Sequence, residues 1–185
     1  AAGGESATAR DAWPMFRGDP QLTGVSPERL GDDLAPLWVF DVDEGIESTA
    51  AVAGGRAWVG SLAGTLHAID LSTGKIRWQV TLGTTRDLAP VPIPMGWGTP
   101  NMGGPIVTAT GLVFIGAAMD DYLRAFDLES GAELWKGRLP AGGQATPMTY
   151  RLSPEGRQFV VIAAGGHGTL GTRSGDALVA YALPD

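Results

Sequence analysis

The sequence predicts an all-β fold made of β-propeller blades. Three observations predict it: a glycine-rich but apolar composition, an internal repeat, and turn signals at matching places in each copy. The chain of 185 residues carries 28 glycines and 13 prolines, yet 44% of it is apolar. Burial on that scale offsets ordering entropy, so the glycines mark tight turns between short apolar segments rather than an unstructured chain.

The repeat carries the most information. One unit runs Gly55–Gly60, Leu66–Asp70 and Thr73–Trp78; its partner runs Gly111–Gly116, Leu123–Asp127 and Ser130–Trp135. The offset is 56 residues before the central turn and 57 from it onward. A weaker third copy covers Gln158–Ala163 and Leu178–Tyr181.

Each unit reads as a sheet. Gly55 and Gly111 open strands with nearly continuous apolar runs, the pattern of strands covered on both faces. Asp70–Gly74 and Asp127–Gly131 are five-residue turns in which the Asp caps the turn and the Gly takes positive φ. Trp78 and Trp135 then fall on the outer strand, large enough to wedge against a neighbouring unit. Four strands per repeat, stacked radially, make a propeller blade.

Strand counting sharpens this. The first two repeats predict four strands each, near 48–53, 57–62, 65–71 and 75–81, then near 104–109, 112–118, 122–128 and 133–139. The third predicts only three, near 145–152, 157–164 and 177–183. The stretch Leu37–Val42, with a blade-type tryptophan of its own, is expected to supply the missing outer strand and so close the last blade. Because three blades are fewer than a propeller ring uses, the expected assembly is a homo-oligomer, two chains completing each other's blades. Residues 1–36 read as an N-terminal extension of loop character and 37–185 as the blade repeats. Within the extension, Trp13 and Phe16 are expected to dock onto the body.

Charge and composition exclude several functions. A net charge of −7 argues against nucleic acid as a partner, since both would be anionic. The absence of cysteine removes disulfides, thiol catalysis and zinc–thiolate sites. No apolar run approaches the roughly 20 residues of a membrane helix, so no transmembrane segment is predicted. The opening Ala1–Glu5 is compatible with a mature end or with a truncation. Gly166–Gly171 fits G-x-G-x-x-G, but a turn and a strand are expected after it, not the helix and distant acid of a nucleotide site. Asp41–Gly45 resembles the start of a calcium loop but lacks the closing glutamate, so it reads as a turn. Two histidines on different repeats, His67 and His167, predict no histidine metal site.

The pattern Leu-x-Ala-[Ile/Phe]-Asp-x-x-[Thr/Ser]-Gly-x-x-x-Trp resembles the tryptophan-docking repeat of pyrroloquinoline quinone (PQQ) dehydrogenases and of related propellers without cofactor. Residues 11–80 are similar to a PQQ-like propeller in general, with Trp13–Gly18 resembling its start. Residues 86–185 are similar, more specifically, to the C-terminal region of membrane-bound quinoprotein glucose dehydrogenases. The segments that carry this are Thr99–Pro105, Asp120–Phe126, Arg138–Tyr150, Ala164–Gly168 and Ala180–Asp185. The resemblance implies a periplasmic or extracytoplasmic enzyme that oxidises a sugar or polyol, with PQQ as cofactor and calcium or magnesium beside it. It also implies that Asp120 and His167 lie at the PQQ pocket.

Taken without that resemblance, Asp120 is a solvated turn residue beside Asp121, and His167 is a loop histidine with no role. The glycines around His167 let backbone approach a planar ligand, and its imidazole can hydrogen-bond a quinone carboxylate. The family also places an aspartate base and a lysine at the quinone carbonyls, and no residue here matches them: the two lysines are Lys75 in a turn and Lys136 after a blade tryptophan. The alternatives are therefore a non-catalytic propeller serving as a periplasmic binding or assembly scaffold, and an engineered propeller fragment.

Overall fold

The computed structural model of the chain describes residues 12–19, 21–26, 31–88 and 93–183; the expectations for Ala1–Glu5 fall outside them. Two four-stranded antiparallel sheets come first. The first contains β1 (Ala51–Ala53), β2 (Arg56–Gly60), β3 (Thr65–Asp70) and β4 (Ile76–Thr81), in that order. The second contains β5 (Ile106–Val107), β6 (Leu112–Ile115), β7 (Tyr122–Asp127) and β8 (Glu133–Arg138), again in chain order. A third sheet has three strands, β9 (Met148–Arg151), β10 (Gln158–Ala164) and β11 (Ala177–Ala182), with β10 central.

The turn chemistry is as the sequence implies. Asp70 Oδ1 accepts from the backbone N–H of Ser72 and Thr73, both at 3.0 Å, and Gly74 follows at φ +68°. Asp127 Oδ1 accepts from Ser130 N at 2.7 Å, and Gly131 takes φ +73°. Both third-to-fourth strand pairs shift register at one equivalent place, Ala68/Ile69 and Ala125/Phe126. The repeat thus extends to its irregularities.

Blades hold together through tryptophan. Trp78 packs its ring on Gly131 and donates from Nε1 to Leu128 O at 3.0 Å, in the turn of the next sheet. A Cβ on Gly131 would stand 2.7 Å from that ring, so both the turn and the docking demand glycine. Between the first two sheets lies the main core, with Trp58, Leu66, Leu82, Val113, Ile115 and Phe126. A smaller cluster of Leu123, Leu139 and Ile162 joins the second sheet to the third. The middle strands β2, β3, β6 and β7 are buried almost throughout, whereas β4 and β8 are largely exposed.

The N-terminal residues show one agreement and one difference. Trp13 bridges to Val52 through two backbone bonds of 2.7 Å, which docks the extension on β1, while Phe16 stays half exposed. Residues 37–42 do not close the third sheet within the chain. They form no strand, and β11 remains an edge. The reason is Trp38, which packs on Gly74 and donates to Leu71 O at 2.7 Å, repeating on the first sheet what Trp78 does on the second. That contact holds the segment two blades away from β11. Leu37 and Val39 stay 77% and 73% exposed, and Leu178 on β11 is 76% exposed.

Candidate functional site

Antiparallel order brings the second strands of all three blades to the same end, where loops 61–64, 116–121 and 165–176 turn into the third strands. The links 82–105 and 139–147 between successive blades begin and finish there as well. Asp120 lies in the second loop and His167 in the third, so the fold puts both at one end. Backbone bonds tie these loops to the links: Ala117 N to Gly143 O at 2.7 Å, Gly166 N to Gly142 O at 2.8 Å, Asn101 N to Ser61 O at 3.3 Å. Ala117 is held at φ +53° inside a tight turn closed by Ala118 N to Gly116 O. A non-glycine residue persists in that conformation only where its surroundings impose it.

Asp120 is not a solvated turn residue. It is fully buried, and its oxygens accept from Arg124 Nη1 at 2.8 Å and Nη2 at 2.6 Å. Oδ2 also accepts from the N–H and hydroxyl of Thr84, both at 2.8 Å. Arg124, itself buried, reaches Glu133 at 3.2 Å as well. Burial opposes the guanidinium charge, but the Asp120 and Glu133 carboxylates outweigh it and hold Arg124 above its ordinary pKa. The Asp120 carboxylate is therefore saturated by protein donors, and it ties the 82–88 link to β7.

Beside it, Asp121 is pushed above its ordinary pKa by burial and by the neighbouring Asp87 carboxylate, against the pull of Arg138 and Arg173. Asp87, hydrogen-bonded by Arg138, is held below the usual carboxylate range. Arg138 in turn lies 4.8 Å over the Tyr122 ring.

His167 is placed differently. Its backbone N–H donates to Thr172 Oγ1 at 2.7 Å, which pins the loop, while its ring Nδ1 is buried and has no hydrogen-bond partner. Two further buried side-chain atoms at this end also lack partners, Asn101 Oδ1 and Gln144 Oε1. Sequence reasoning missed both. They sit just ahead of β5 and β9, and a polar residue before an innermost strand was the available signal. A planar ligand with carboxylates suits His167, whose Nδ1–H tautomer can donate, and Gly142, where an added Cβ would fill the space next to Gln144. No group of three or more His, Asp or Glu that could hold a metal ion is found among the described residues.

The other motifs are turns. Asp41–Gly45 contains a turn whose Gly45 carbonyl accepts from Leu62 N at 3.0 Å, and Gly166–Gly171 leads to β11 rather than to a helix. Two open grooves of about 470 and 520 Å³ lie elsewhere, one against Trp13 and Arg17, the other beside Arg56 and Arg77. Neither includes Asp120 or His167. A ring site is walled by several blades, so burial and unpaired polar atoms locate it better here than groove volume does.

Residues 57–160 match the family model for the PQQ glucose/ethanol/alcohol dehydrogenase β-propeller domain, more than half of the chain. The chain belongs to this PQQ-dependent dehydrogenase propeller family. Among its relatives, the quinoprotein glucose dehydrogenase of Escherichia coli K12 is 53% identical over 126 residues, 66% of this chain and 16% of the relative. The glycerol dehydrogenase large subunit of Gluconobacter thailandicus is 50% identical over 127 residues, 66% of this chain and 17% of the relative. The chain thus spans about a sixth of these quinoproteins. The crystal structure of quinohemoprotein alcohol dehydrogenase from Comamonas testosteroni superposes with a TM-score of 0.61 at 22% identity, over 86% of this chain and 26% of that one. That likeness bears on the fold alone, and it agrees with the all-β blades. No helix among the described residues is long and apolar enough to cross a membrane.

Proposed function

We propose that this chain forms the blade segment that edges the quinone in a periplasmic PQQ-dependent dehydrogenase of sugars or polyols. The observation that carries the reading is the buried, unpartnered Nδ1 of His167, held in a glycine-rich loop at the end where three blades converge. Bound PQQ would supply the two-electron acceptor for an alcohol carbon, while the protein supplies binding, orientation and electrostatics. His167 would hold a carboxylate of the bound quinone through its ring N–H, and Thr172 keeps its loop in register. Asp120 serves the same pocket indirectly, by fixing the Thr84 link against Arg124. A second copy of the chain is the proposed partner, its 37–42 segment pairing with β11.

A second reading, a propeller that binds without turnover, is favoured by the lysines. Lys75 lies in a turn at the opposite end of its blade, and Lys136 lies mid-strand on the exposed β8. Titration with PQQ, with calcium or magnesium present, tests the first reading. His167→Ala should bind at least tenfold more weakly, about 1.4 kcal/mol. Undetectable PQQ binding by the parent chain would sink the proposal. Dye-linked glucose oxidation is expected to stay below roughly 1 per second, the low end of ordinary enzymes. Faster turnover would remove the second reading.

A further inference from the structure

We infer that Gln144 is a second contact for the quinone, accepting a hydrogen bond from the cofactor's pyrrole N–H; this rests on the proposed function. The orientation of the amide is fixed by the protein. Gln144 Nε2 donates to Ala118 O at 2.8 Å, which leaves Oε1 on the other side, buried and without a donor. Turning the amide over would set its oxygen against the Ala118 carbonyl, two acceptors facing each other. Gln144 therefore offers an acceptor, and a buried acceptor left unpaired is costly unless a ligand or water brings the donor.

Gln144 shares a cradle with Thr172, which holds the His167 loop. A Cβ built on Gly142 would stand 2.6 Å from Gln144 Oε1 and 3.0 Å from Thr172 Oγ1, so these two atoms meet beside the bare Gly142. Thr172 Oγ1 is the same atom that accepts from His167 N at 2.7 Å. One amide acceptor and one imidazole are thus mounted on a single frame tied by Gly166 N to Gly142 O.

The chemistry of the cofactor matches that pair. Ionised PQQ is rich in acceptors, with three carboxylates and two quinone carbonyls. Its one ring donor is the pyrrole N–H, which has carboxylates close on either side. Gln144 offers an acceptor and His167, on the loop tied to Gly142, offers a donor; the pyrrole N–H and its flanking carboxylates are the complementary pair on the ligand. A substrate hydroxyl is the other donor that Gln144 could serve, and the test separates the two.

The full chain, Gln144→Leu and Gly142→Ala are titrated with PQQ and with N-methylated PQQ, which lacks the donor, following fluorescence quenching. Their thermal midpoints are measured alongside. The parent should prefer PQQ over the N-methyl form by tenfold or more. Gln144→Leu should lose at least tenfold in PQQ affinity and most of that preference. Gly142→Ala, which fills the cradle, should also weaken PQQ without unfolding the chain. Parent-like PQQ affinity in both variants overturns the inference while leaving the proposed function standing. A Gln144→Leu variant that binds PQQ normally and loses only affinity for glucose assigns the acceptor to substrate, and also overturns it. A parent that binds no PQQ overturns both.

Discussion

Replacing Asp120 by Ala removes the anion from a buried ion pair and strands its partner. Arg124 is 3% exposed, so its charge has almost no access to water once the carboxylate is gone. The substitution deletes two charge-assisted bonds from Arg124 and two bonds from Thr84. Breaking one side of a buried pair costs about 3–5 kcal/mol, most of it the penalty on the charge left behind. Glu133 stays within 3.2 Å of Arg124 and remains partly solvated, which sets the expectation near the lower end, about 3 kcal/mol. That is a large share of the roughly 5–15 kcal/mol that holds a domain together. Urea unfolding followed by circular dichroism measures it. The double variant Asp120→Leu with Arg124→Met separates charge from packing, because an apolar pair of similar volume carries no stranded ion. It should recover at least half of the loss. A cost below about 1 kcal/mol for Asp120→Ala, or a double variant no better than the single, would refute the view of Asp120 as a saturated structural anchor.

Two further outcomes follow from the same geometry. Asp70 is held below the ordinary carboxylate pKa of 3.8 by the Ser72 hydroxyl, Arg77 and Thr73. A lowered folded pKa contributes stability above the unfolded value and loses it as pH falls through the folded one. The stability difference between the parent and Asp70→Asn should therefore be constant above pH 5 and shrink below about pH 4, read from thermal midpoints across pH; a difference that grows on acidification contradicts the assignment. For assembly, the open β11 edge and the exposed Leu37 and Val39 should bring two chains together, since an unpaired apolar edge recruits a strand. Light scattering at several concentrations should give twice 19.2 kDa, deletion of residues 1–42 should abolish the dimer or the solubility, and a folded 19.2 kDa monomer refutes the pairing.

The sequence by itself determined the blade. Its strands, its Asp-to-Gly turns and its outer tryptophans depend on side-chain alternation, φ preferences and spacing within a few residues, and the repeat, offset by 56 and then 57 residues, shows each of them twice. Gly74 and Gly131 are positive-φ turn residues in both readings for that reason. The tertiary structure decided what touches across blades. Without the family resemblance Asp120 reads as a solvated turn residue, because neither its burial against Arg124 four positions on nor its bond to Thr84 36 positions back shows in the local pattern. Gln144 drew no notice because an amide is ordinary until burial leaves its oxygen without a donor. Trp38 reads as the tryptophan of a closing strand, but residues 37–42 form no strand, and its indole reaches Leu71 and Gly74 of the first blade and leaves β11 open. Periodicity is a property of neighbours along the chain. Saturation, orphaned atoms and the choice of docking partner depend on distances that only the packed blades set.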